Sequence, residues 1–211
     1  MSVRLYAYTY RTDVVGMVLV DPTVEDQKAA YRNLDPRKRS VEQWDADTVE
    51  PELRDRRECV VAADAGFVPG TPLFKKCSFD AYPQLSDAIK AANATYEMQA
   101  KYQRAVLSET ENVFGVSADQ VRAARRFYGD LPLIVLTRSP SPPKEPLTPE
   151  AQALKAARDR VVVTLHDHVA KLSTRGVNEV VPGAGHSIQV EKPQAVIDAI
   201  IRVLDMDAKV D

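Results

Sequence analysis

Three apolar runs separated by helix-length sequence constrain this chain more than any other feature. The first, "VVGMVLVDP" at residues 14–22, is continuously apolar and closed by Asp21 and Pro22. A run without alternation suits a strand buried on both faces, as the strands of a parallel sheet are. The second, "LPLIVLTRSP" at 131–140, reads the same way, and "VNEVVPGAGH" at 177–186 supplies a third strand. Between the second and third lies a long helical stretch from Pro149, with Thr148 as N-cap and proline at the first helical position. After the third comes "KPQAVIDAIIRVLDM", where Val196, Ile197, Ile200, Val203 and Leu204 form a broad apolar helix face. Strands joined through helices of this length predict a parallel sheet with right-handed crossovers, an α/β fold.

The segment between the first and second strands has a different texture. Residues 23–130 are charged, tyrosine-bearing and helical in pattern, punctuated by prolines. Ser86 is an N-cap for one long helix, "SDAIKAANATYEMQAKYQRAVLSETENVF"; Ser117 and Gln120 form a capping box for another, stopped by Gly129. The expected organisation is a core from 1–22 and 131–211, opened by a short helix up to about Tyr10, with 23–130 inserted as a helical subdomain.

With 211 residues and 45% hydrophobic composition the chain is long enough for one complete core. Its 28 basic and 30 acidic residues nearly cancel and form no long block, which argues against nucleic acid and an anionic membrane as partners. A small molecule or a protein is the expected partner. No apolar stretch approaches the roughly 18–20 residues that span a bilayer, and the N-terminus lacks a signal-peptide layout. As written the chain reads as cytoplasmic, with export of a longer form as the alternative. Cys59 and Cys77 have no CxxC spacing and no nearby histidine, so no metal site is expected, and no cofactor is implied. They flank "GFVPGTP", a turn-rich segment able to bring them together; two thiols and one disulfide both remain open.

In an open parallel sheet, catalytic groups gather beyond the carboxyl ends of the strands. Asp21 stands at such an end, and His186 follows the last strand in a loop with Gly183 and Gly185. A histidine whose glycine neighbours leave it unshielded can face a cleft and act as a general base, provided a carboxylate fixes its tautomer. His166 and His168 lie two apart on the long helix, point to different sides and are expected to be structural or surface residues.

These residues resemble a known family. "RLYAYTYRTDVVGMVLVDPTVEDQ", "LPLIVLTR" and "VVPGAGHSIQVEKPQAVIDAI" are similar to the later part of an α/β-hydrolase domain. The resemblance implies a partial α/β-hydrolase sheet with an inserted helical lid, His186 as the triad base and Asp21 as its acid, with Glu145 as the second choice for the acid. It also implies cleavage of an ester-like bond in a small-molecule substrate by a Ser-His-Asp mechanism.

The family's Gly-x-Ser-x-Gly nucleophile elbow has no counterpart here. The nearest approaches, "GVSAD" and "GHSIQ", lack the second glycine and the strand-turn-helix context. The elbow would precede the helix with which the chain opens, so the sequence reads as a hydrolase truncated before its nucleophile and inactive by itself. The alternative is a non-catalytic remnant or a ligand- or partner-binding module of the same fold. In either case, a sheet without its first strands exposes an apolar edge, which predicts self-association.

Overall fold

The computed structural model describes residues 1–78, 82, 84–140 and 146–208. Along the chain run α1 (Ser2–Thr9), β1 (Met17–Val20), α2 (Gln27–Asn33), α3 (Val41–Thr48), α4 (Glu50–Ala65), α5 (Pro72–Cys77), α6 (Asp87–Glu97), α7 (Ala100–Asn112) and α8 (Val116–Ala124). They are followed by β2 (Leu133–Arg138), α9 (Pro149–Ala170), β3 (Gly176–Val181), α10 (Ile188–Glu191) and α11 (Pro193–Asp207). The chain divides into two compact units, one formed by residues 1–36 and 116–211, the other by 37–115. Residues 23–36 and 116–130, grouped with the insertion in the sequence, thus pack in the first unit.

The first unit is α/β. Its sheet has the order β1-β2-β3, both pairs parallel, with Met17 opposite Leu133 and Leu133 opposite Gly176. β2 is central and its side chains alternate between two cores. Leu133 and Val135 join Tyr8, Met17, Leu19 and Val169 on one face, whereas Ile134 and Leu136 join Val181, Ile188, Ala199 and Val203 on the other. α9 lies against β2 and β3, and α11 against β1 and β2. Burial on both faces explains why β2 reads as an unbroken apolar run. β1 is shorter than the run that encodes it, because Val14 to Gly16 lead into the sheet without joining the ladder.

α1 is held by a buried ion pair. Arg4, 1% exposed, donates from both terminal nitrogens to the Glu25 carboxylate at 2.5 and 3.0 Å. Bidentate geometry of this kind is what makes a buried charge pair tolerable. Arg125 adds a third bond to Glu25 at 3.4 Å, and Tyr8 stacks on Tyr128 with ring centroids 4.7 Å apart.

These contacts also explain a departure from the expected helix limits. α8 starts at Val116, so Ser117 lies inside it and forms no cap, and it ends at Ala124, five residues before Gly129. Non-helical backbone beyond Ala124 lets Tyr128 reach Tyr8, and the Tyr128 amide donates to the Leu172 carbonyl. Tertiary contacts here override the local capping signal.

The second unit consists of α3 to α7. The long helix expected from Ser86 is two helices, broken at Met98 and Gln99, where Gln99 is extended (φ −79°, ψ 135°). Gln103, buried, stabilises the break: its amide donates to the Glu97 carbonyl at 2.8 Å and to the Cys77 carbonyl at 3.0 Å. Ser86 does cap α6, accepting from the Ile89 amide. Cys59 on α4 and Cys77 at the end of α5 form a disulfide, which settles the alternatives left open by the sequence.

Candidate functional site

Asp21 follows β1 immediately, and its amide continues the ladder by donating to the Leu136 carbonyl at 2.7 Å. Its backbone then turns into the left-handed region, φ +40°, which aspartate tolerates better than most residues. The side chain is fully buried, and three donors converge on it. The Arg138 amide donates to Oδ1 at 3.2 Å, while the Arg138 guanidinium and His186 Nδ1 donate to Oδ2 at 2.7 and 2.6 Å.

Burial pushes the Asp21 carboxyl up. The bonds from His186 and from the Arg138 amide and guanidinium outweigh burial, so the carboxyl titrates below its ordinary range and remains a carboxylate at neutral pH.

His186 is delivered by the loop after β3. Gly183 takes φ +67°, a conformation natural to glycine, and its amide donates to Ser139 Oγ at 3.0 Å. Ser139 in turn donates from its amide to the Ala184 carbonyl. The Gly185 amide donates to Glu191 Oε2 at 2.7 Å, and a β-carbon on Gly185 would lie 2.9 Å from the other Glu191 oxygen. Gly183 is required by its backbone conformation, while a side chain at Gly185 would displace the Glu191 carboxylate that its amide binds. The His186 side chain is 70% exposed, against 0% for the Asp21 side chain. A carboxylate can only accept, so Nδ1 carries a proton, and in the neutral ring Nε2 presents its lone pair.

The structure brings together two of the three residues singled out for chemistry, Asp21 and His186. Glu145 lies outside the described residues. Arg138 joins the pair without having been singled out. Its place at the carboxyl end of β2, as the first charged residue after an apolar run, was the available signal.

His166 also lies close by. It is 1% exposed, its Nε2 stands 2.8 Å from the Pro22 carbonyl, and its Nδ1 stands 2.7 Å from Thr137 Oγ1. Thr137 Oγ1 donates to Asn178 Oδ1 at 2.6 Å, and Asn178 Nδ2 donates to Asp167 Oδ1 at 2.8 Å. Burial is the main cause that holds His166 below its ordinary value, opposed by the bond to Pro22 and the field of Asp21. Its spacing with Val162, Val169 and Ala170 on α9, all buried, marked it as a core position. His168 is exposed.

Among the described residues no group of three or more His, Cys, Asp or Glu side chains could hold a metal ion. No helix among them is long and apolar enough to cross a membrane. No family model matches the chain, and no curated protein or solved structure matches it either.

Proposed function

We propose that this chain is an α/β-hydrolase-type protein with an inserted helical lid, whose Asp21–His186 pair acts as the acid and base of ester cleavage. The observation that carries this reading is the hydrogen bond of 2.6 Å between a fully buried carboxylate and an exposed imidazole, at the ends of two strands of a parallel sheet. The chain carries no Gly-x-Ser-x-Gly elbow, so in this reading the attacking O–H is water's, and His186 Nε2 weakly activates it by taking its proton. The new C–O bond forms as the carbonyl π pair moves onto oxygen; that pair then re-forms the carbonyl as the ester C–O bond breaks, its electrons leaving with the alkoxide, to which Nε2 returns the proton. Asp21 keeps the ring in the Nδ1–H tautomer and stabilises the imidazolium that forms in between. Arg138 holds Asp21 ionised for that purpose.

The test is hydrolysis of p-nitrophenyl acetate by the purified chain. His186→Ala is expected to lower the rate above background by about 10²-fold or more, the usual worth of a general base. His168→Ala, which removes an exposed imidazole outside the site, is expected to leave it unchanged. Equal rates for the His186 variant and the parent would defeat the reading.

One observation favours a second reading, a binding module without turnover. Ser139, beside the site, spends its hydroxyl on the Ala184 carbonyl at 3.3 Å rather than on the imidazole. Small-ester binding unaltered by His186→Ala would support that alternative.

A further inference from the structure

A line of polar contacts runs beneath the Asp21–His186 pair from the turn after β1 to β2 and β3. It starts at the Pro22 carbonyl after β1, passes through His166 on α9 and Thr137 on β2, and reaches Asn178 on β3 before ending on Asp167 of α9. His166 and Thr137 are at most 1% exposed, so water does not compete for these bonds.

The proton inventory of this line is restrictive. The Pro22 carbonyl has no proton, so His166 Nε2 must donate. That fixes the proton on the nitrogen nearest Asp21's own backbone neighbour. On the other side, the single hydroxyl proton of Thr137 faces two acceptors in the neutral state, His166 Nδ1 and Asn178 Oδ1. That one proton can satisfy only one of them; with it on Asn178, as the 2.6 Å bond has it, Nδ1 faces an oxygen lone pair, so the Nε2 bond to Pro22 is the one that holds the neutral ring. Pro22 is the residue directly after Asp21, whose backbone sits at φ +40°. A non-glycine residue holds that conformation only where its surroundings over-determine it. The ladder bond from the Asp21 amide fixes one side of the turn, and the His166 bond to Pro22 fixes the other.

We propose that His166 is a positioning residue for the Asp21–His186 pair: by donating from Nε2 to the Pro22 carbonyl it holds the turn that aims the Asp21 carboxylate at His186 Nδ1. The significance for catalysis rests on the hydrolase reading; the positioning itself does not. A displacement of even 1 Å at Asp21 would break a bond of 2.6 Å to His186.

The test compares two near-isosteric replacements in the full chain, His166→Gln, whose amide can donate to Pro22, and His166→Met, which cannot. The readout is the low-field proton resonance of His186 Nδ1–H and its ¹⁵N shift, which report the bond to Asp21 independently of turnover. His166→Met is expected to lose the low-field resonance and shift His186 toward a mixture of tautomers. His166→Gln is expected to retain both signatures. A folded His166→Met chain with the parental resonance would overturn the assignment. Should that variant not fold, His166→Leu, which likewise cannot donate to Pro22, carries the test: the resonance is expected to weaken, and an unchanged one overturns the proposal. Failure of p-nitrophenyl acetate turnover in the parent would sink the hydrolase reading alone, since the resonance would still report the pair.

Discussion

Asp21 and His186, 165 positions apart in sequence, meet through one hydrogen bond of 2.6 Å between Oδ2 and Nδ1. The carboxylate is buried where the imidazole is exposed, so the acid is shielded from water while the base faces it. Arg138 binds the same carboxylate oxygen and its backbone amide binds the other, which leaves Asp21 little freedom to rotate away.

Replacing Asp21 with Asn keeps the shape and removes the charge. The variant is expected to lose about 1–3 kcal/mol of stability, because the bonds from Arg138 and His186 are weakened. It is also expected to hydrolyse p-nitrophenyl acetate at least about 10²-fold more slowly, since an amide can donate to Nδ1 and select the wrong tautomer. Urea denaturation and the ester assay read the two effects separately.

Acid should destabilise the protein in two stages. His166 is held below the ordinary histidine value of 6.5, with Asp21 and Asp167 favouring its charge and burial and Arg138 opposing it. As pH falls from 6.5 toward that lower folded value, the unfolded chain takes a proton that the folded ring does not, so stability declines. Asp21 and Glu25 are depressed from 3.8 and 4.5; their contribution is full above those values and is lost as pH falls through their folded values. Denaturation midpoints measured from neutral to acid pH should show the first decline in the parent and not in His166→Gln.

Arg4→Met should destabilise strongly, by about 3–5 kcal/mol, because it leaves the Glu25 carboxylate buried with the 3.4 Å contact to Arg125 as its remaining ion pair among the described residues. The double change with Glu25→Met should recover much of the loss. Equal midpoints for the single and double variants would contradict this account of the α1 anchor.

The Cys59–Cys77 bond closes a separation of 18 residues. Its removal in a double serine variant is expected to cost about 3 kcal/mol on the chain-entropy model. Hydrogen exchange should place the loss in α4 and α5 and leave β2 protected.

Among the described residues β1 pairs with β2 alone, and the α11 face beside it exposes Ile197, Ile200, Ile201 and Leu204 at 46–55%. In a pure preparation the strand edge available to pair with it is another copy's, so concentration-dependent association is expected. Ile200→Lys with Leu204→Glu should shift sedimentation toward the monomer. A parent that sediments as a monomer at every concentration would refute it.

The sequence by itself determined the α/β class, the three strands and their parallel arrangement, because continuous apolar runs and helix-length connections leave few ways to bury both faces of a sheet. It also determined the cap at Thr148, where a hydroxyl three residues from an amide is a local matter. It marked Asp21 and His186 as strand-end residues. Only the tertiary structure decided that they touch, that Arg138 holds the same carboxylate, and that His166 bonds to Pro22 across 144 positions. The division of the helix after Ser86, the early end of α8 and the closing of the disulfide belong with these. Each depends on a partner further along the chain, such as Gln103 for the Cys77 carbonyl or Tyr8 for Tyr128, and local pattern carries no record of which distant side chain will arrive.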